Sequence, residues 1–215
     1  MGIGKKGFTL VEIIVSLAIM TIVAGAVGAF VVAGNNSYMR GNKELTLQEE
    51  AQLTANQMID LIIDVEKGIS FSNLTDQEAV DVDGNVAKDV NGMEVTNASV
   101  SELRLINNDN SYMIRWQGDA GADYADANQV YLYEVTNTKD GEGKVVVGDF
   151  DTARPALMAE HVSSFSVDLS ELDKRKVVLN MIFTYQDKSY DISETIKLRN
   201  DLSSEPSSIY SWISG

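Results

Sequence analysis

Glu12 is the single charge among the 26 residues from Phe8 to Ala33, and its isolation poses a chemical problem. At about 1.5 Å per helical residue that run is long enough to cross a hydrocarbon layer of about 30 Å. An ionised carboxylate near lipid costs about 3 kcal/mol on insertion scales, so Glu12 needs a partner. The nearest cations in the sequence are Lys5 and Lys6, just ahead of Gly7 and Phe8. Cutting the chain after Gly7 would remove both lysines and create an α-amine on Phe8, roughly 6 Å from Glu12 along a helix. That amine, on the same copy or on a neighbouring one, is the natural counter-charge. With such a cut, the chemistry would be ion pairing of Glu12 beside lipid.

Other reactive residue types are sparse. His161 is the only histidine, and it reads as a surface or packed residue rather than a general base. There is no cysteine, which excludes a disulfide, a thiolate and a metal centre of the His/Cys type. No glycine loop suited to phosphate and no internal repeat is present. The run Asp81-Val82-Asp83-Gly84-Asn85 has part of a calcium loop's spacing. Its glycine comes two places early, and Gly92 stands where the closing glutamate belongs, so it reads as a turn. Asp119, Asp123 and Asp126 read as a solvated loop. With 32 acidic side chains some carboxylates meet by chance, so the chain reads as non-catalytic, with no cofactor and no metal. The formal net charge of −15 argues against nucleic acid, since no basic patch is available to displace counterions.

A short basic leader ending in Gly7, followed by FTLVEIIVSLAIM from Phe8 to Met20, resembles the class III signal of type IV pilins and type II secretion pseudopilins. The resemblance implies that a prepilin peptidase cuts between Gly7 and Phe8 on the cytoplasmic face and N-methylates Phe8. Glu12 then recruits the subunit to a filament through a neighbour's N-terminus. The implied partners are that peptidase/N-methyltransferase, other pilin or pseudopilin subunits and the cytoplasmic membrane. The ending Ile196-Lys197-Leu198-Arg199-Asn200, after a two-strand hairpin, is loosely similar to J-type minor pseudopilins and W-type minor pilins, which implies a low-copy subunit near a filament tip. Pilus, secretion and DNA-uptake machines all stay open. Many major pilins place a helix-breaking proline where this chain has Ala29. Two other readings of the residues remain: an ordinary secretory signal cleaved near Ala24-Gly25-Ala26, and an uncleaved single-pass anchor bearing an adhesin-like binding module.

The elements that position Glu12 follow from periodicity. Lys5 and Lys6 before the apolar run, with no further Lys or Arg until Arg40, predict a cytoplasmic N-terminus and an extracytoplasmic head. Beyond Arg40, Leu47, Ala51, Ala55, Met58, Ile62 and Val65 fall on one helical face, so a single helix is predicted from Phe8 to Lys67, ended by a left-handed cap at Gly68. Gly34-Asn35-Asn36 is its expected soft point. From Ile69 to Ser99 short exposed hairpins are expected at Asp83-Gly84 and Asn91-Gly92. Strands are predicted at Glu102–Asn107, Tyr112–Gln117, Val130–Asn137 and Lys144–Phe150, with Asp140-Gly141 turning the last pair. Three alternating runs follow, around Phe165, from Val177 to Tyr185, and from Tyr190 to Leu198. The predicted fold class is α+β: a long N-terminal helix, its inner half transmembrane and its outer half amphipathic, packed on an antiparallel β-sheet head. One sheet face is expected on the helix and one open to water. The predicted division is leader 1–7, transmembrane helix 8–36, amphipathic continuation 37–68, head 69–200 and tail 201–215. In the tail Ile209, Tyr210, Trp212 and Ile213 are expected to dock on the head or to meet a partner.

Overall fold

The computed structural model describes residues 9–89, 91–118 and 127–202. Lys5, Lys6, Gly7, Phe8, Asp119, Asp123, Asp126 and the tail residues Ile209, Tyr210, Trp212 and Ile213 lie outside the described residues. One helix, α1 (Leu10–Ile63), opens the described chain and runs for 54 residues without a break. Gly34-Asn35-Asn36, the expected soft point, is helical like its flanks. The chain divides between Leu45 and Thr46 into two units.

In the first unit α1 is bare. Its large apolar side chains are exposed, and a Cβ added at Gly25, Gly28, Gly34 or Gly41 would meet nothing within 4 Å. The helix is long and apolar enough to cross a membrane, with a mean hydropathy of 2.5 in its best window. The hydroxyls inside it are satisfied locally: Ser16 Oγ donates to the Glu12 carbonyl at 2.7 Å and Thr21 Oγ1 to that of Ala18 at 2.8 Å. Within a hydrocarbon layer polar groups must find their partners in the chain itself.

In the second unit α1 becomes one wall of a core. Leu47, Ala51, Ala55, Met58 and Ile62 are buried at three- and four-residue spacing, which is how the 3.6-residue period puts a stripe on one face. The helix ends at Ile63, short of the predicted Lys67. Gly68 has no left-handed cap conformation and instead opens strand β1 (Gly68–Gln77). The reason lies far away in sequence. Arg199 N–H donates to the Ile63 carbonyl at 3.0 Å, Asn200 Nδ2 to that of Val65 at 2.9 Å, and Arg199 pairs with Asp64. The terminal carbonyls are therefore met by returning chain rather than by a local glycine cap.

Two antiparallel sheets pack here instead of a single meander. The larger joins β1, β2 (Ala98–Ile106), β3 (Asn110–Gln117), β4 (Gln129–Thr136) and, after the small hairpin β5 (Thr138–Lys139) and β6 (Val145–Val146), β7 (Ala156–Ala159), in the order β1-β2-β3-β4-β7. The smaller joins β8 (Val162–Asp168), β9 (Lys176–Tyr185) and β10 (Lys188–Lys197), in the order β10-β9-β8. Helix, small sheet and one face of the large sheet share a core that includes Met58, Ile62, Leu103, Ile114, Leu179 and Phe183. The predicted alternation of Val177, Leu179, Met181 and Phe183 falls wholly inside it.

Three expectations need correction. The other face of the large sheet is not open to water, because Met113, Tyr131, Tyr133 and Val135 lie buried there with Phe150. Lys144–Phe150 is not one strand: Val145 and Val146 pair with Lys139 and Thr138, and Phe150 begins a 3-10 turn capped by the Asp149 side chain. That segment covers the sheet instead of extending it. The stretch after Ile69 does form turns at Asp83-Gly84 and Asn91-Gly92, but it begins with the ten-residue β1 on the sheet edge. Ile69 and Phe71 pack towards the core from β1, while its outer half is too polar to show a clean period of two.

Candidate assembly and anchoring site

Glu12 stands at the start of α1, and its immediate partner is Thr9. The Thr9 backbone N–H donates to Glu12 Oε2 at 2.8 Å and the Thr9 hydroxyl to the same oxygen at 3.0 Å. In return the Glu12 N–H reaches Thr9 Oγ1 at 3.3 Å. This is a capping box, in which Thr at the cap and Glu three residues on satisfy two orphan N–H groups reciprocally. The arrangement lowers the cost of a carboxylate in an apolar run, and both incoming bonds fall on one oxygen. Among the described residues no cation pairs with Glu12; Gly7, Phe8, Lys5 and Lys6 lie outside them. Sequence reasoning missed Thr9, although the T-x-x-E spacing ahead of an apolar run was the signal that could find it.

Two clusters of ionisable groups in the head make contacts that hold the fold. His161 Nδ1 lies 2.8 Å from Glu50 Oε2, and Glu50 Oε1 accepts the backbone N–H groups of Glu160 at 2.7 Å and His161 at 3.2 Å. The imidazole also meets the Tyr185 ring edge-on at 4.5 Å. Glu50 thus pins the turn between β7 and β8 onto α1, and no nucleophile faces the histidine in these contacts. Glu102, 4% exposed, binds Arg104 at 2.8 Å and faces Arg115 at 3.8 Å. Beside them burial pushes the Tyr133 phenol up, with Arg115 opposing and Glu102 and Asp151 adding to the rise. A buried, neutral phenol of this kind is a packing group.

The acidic turns are satisfied by their own backbone. Asp81 Oδ1 accepts the N–H groups of Asp83 and Asn85, Asp89 Oδ1 those of Asn91 and Met93, and Asp140 Oδ1 those of Glu142 and Lys144. Gly84, Gly92 and Gly143, each three residues after its aspartate, take positive φ of 84°, 79° and 79°. These are three copies of one Asx-supported turn. Among the described residues no group of three His, Cys, Asp or Glu side chains is placed to hold a metal ion.

A capped glutamate on a bare apolar helix, followed by an antiparallel β head, fits membrane anchoring. Residues 4–28 match the prokaryotic N-terminal methylation motif, the signal of type IV pilins and pseudopilins. No curated protein and no solved structure matches the chain. The motif covers the junction and Glu12, and it favours a pilin-like structural subunit over an enzyme.

Proposed function

We infer that the chain is a structural minor subunit of a type IV pilus or of a type II secretion-like pseudopilus. In this reading residues 1–7 are a leader removed after Gly7 by the prepilin peptidase, Phe8 is N-methylated, and the helix within 8–36 spans the cytoplasmic membrane once, with the head outside. Glu12 then meets the Phe8 amine of a neighbouring subunit during assembly with other pilin or pseudopilin chains. The observation that carries the reading is the methylation motif over residues 4–28 on a helix whose apolar surface is left uncovered. The Thr9 cap supports it, because it holds the carboxylate at the helix start while a second oxygen is left for an incoming amine. The large head supports a minor role.

Mass spectrometry of membrane fractions tests the processing step. The mature chain is expected to begin at a methylated Phe8, and a bulky residue in place of Gly7 to leave an unshifted precursor. A mature start at Met1 or near Val27 defeats the reading. Glu12→Val is expected to be cleaved and inserted normally and to drop out of sheared or crosslinked filaments, and its normal incorporation removes the role given to Glu12.

A further inference from the structure

Beside α1 the head carries a groove of about 400 Å³ that the function above does not use. One wall is the helix at Gln52, Asn56 and Ile59, and the other is β10 from Tyr190 to Glu194. Among the described residues β10 ends its sheet and pairs with β9 alone. Their hairpin closes on Lys188 opposite Tyr185, so the alternation of an antiparallel pair turns the backbone groups of Asp191 and Ser193 away from β9. An edge of this kind accepts a further strand.

We propose that the groove is the docking site of this chain's own segment Ile209–Ile213, added beside β10 as an intramolecular strand. Reach permits it. Leu202 is still packed on the core, 8% exposed, two residues after Asn200 bonds the end of α1. Going back from Lys197 to Ile192 takes about 17 Å of strand, and the chain from Leu202 to Ile209 extends to about 23 Å. Main-chain pairing along the β10 edge is what the segment gains, with half-buried Ile59 as its apolar neighbour; Ile192 itself faces the core. Charge selects among occupants. Asp191 and Glu194 line the groove, and a second copy arrives with a net charge of −15, whereas Ile209–Ile213 has no charged side chain. Tethering adds an effective concentration in the mM range for a short flexible link.

Hydrogen exchange on the full chain in detergent micelles, with and without residues 203–215, tests the proposal. Removal is expected to speed exchange of the Asp191 and Ser193 amides about tenfold, the factor that about 1.4 kcal/mol of protection supplies, and to leave β3 unchanged. Trp212→Ser with Ile213→Ser in the full chain should do the same. Equal protection with and without the segment overturns the proposal. Protection that grows with protein concentration also overturns it, since a second copy then fills the groove. The absence of cysteine allows a second measurement. Asn56→Cys with Ser211→Cys should oxidise to a disulfide within one chain, and Thr138→Cys with Ser211→Cys should not. Bridging between chains, or equal bridging in both pairs, counts against it.

Discussion

From Leu10 to Leu45 helix α1 holds its large apolar side chains in the open, with Phe30 80% and Leu17 58% exposed, whereas from Thr46 onward the same helix buries Leu47, Ala51, Ala55, Met58 and Ile62 to 4% or less. Helix propensity favours the outer stretch, which lacks the glycines Gly25, Gly28, Gly34 and Gly41, yet both stretches are helical. What distinguishes them is where their apolar surface goes. In the outer stretch polar residues on the far side make the helix amphipathic, so a single layer of protein suffices. From Ile13 to Ala33 apolar residues surround the axis, and lipid or other helices are what can cover such a surface. Glu12, Ser16 and Thr21 bond within the helix or its cap, and Thr54 also bonds the Glu50 carbonyl at 2.8 Å, while the Glu50 carboxylate reaches the turn between β7 and β8.

The largest expected effect comes from removing the outer wall. A fragment beginning near Tyr38 keeps the whole buried stripe and is expected to melt cooperatively. One beginning near Ser70 loses it and bares the sheet faces that pack on α1. Each large side chain lost from a core costs about 2–5 kcal/mol, against about 5–15 kcal/mol for a domain, so the shorter fragment should be unfolded or aggregated. Circular dichroism melts decide. Equal midpoints in both fragments would make α1 a tether beside an independent head and break the contrast between its two stretches.

Single substitutions sharpen the contrast. Met58→Ala, at a fully buried position, should lower head stability in denaturant titration by about 2–5 kcal/mol. Val23→Ala, on the bare stretch, should leave the head's midpoint unchanged. A smaller loss is expected for Gln117→Leu. Its buried amide accepts from Val80 N–H at 2.7 Å and donates to the Val80 carbonyl at 2.8 Å, joining the turn-bearing stretch after β1 to the large sheet. Leaving those backbone groups unpaired should cost about 1–3 kcal/mol. An unchanged midpoint would show that water takes their place.

Elements that repeat were readable and elements that close gaps were not. The helical stripe from Leu47 to Ile62 and the alternation from Val177 to Phe183 declare their buried faces by period alone, and Glu12 declares itself by its isolation. β1 was missed because Ser72, Asn73 and Thr75 at the sheet edge have no need to be apolar. Val145–Phe150 misled because a segment lying over a sheet also needs apolar residues. The Thr9–Glu12 capping box had a local signal, the T-x-x-E spacing, and was nonetheless missed. The partners of Gln117 and Glu50 were not legible, since nothing local to either residue signals contacts 37 and 111 positions away.

The smallest expected effect concerns carboxylates that serve their own turn, as Glu12 does at the start of α1. The backbone N–H of Met93, with that of Asn91, holds Asp89 below the usual carboxylate range. At Asp81 burial pushes upward, but hydrogen bonds from Asn85, Asp83 and Gly84 together outweigh it. A carboxyl lowered in the folded state adds stability that is present above its unfolded value, about 3.9, and lost as pH falls through the folded value. The turns should therefore be indifferent to pH near neutrality and loosen only in acid below about pH 4. Amide exchange at Met93 and Asn85 reports this directly. Asp89→Asn keeps an acceptor oxygen without a titrating proton, so its Met93 amide should exchange slightly faster at neutral pH and lose the local acid dependence. Acid loosening of Met93 that persists in Asp89→Asn would mean that the charge holding this turn lies elsewhere, and the likeness between the self-bonded carboxylates of head and helix would fail.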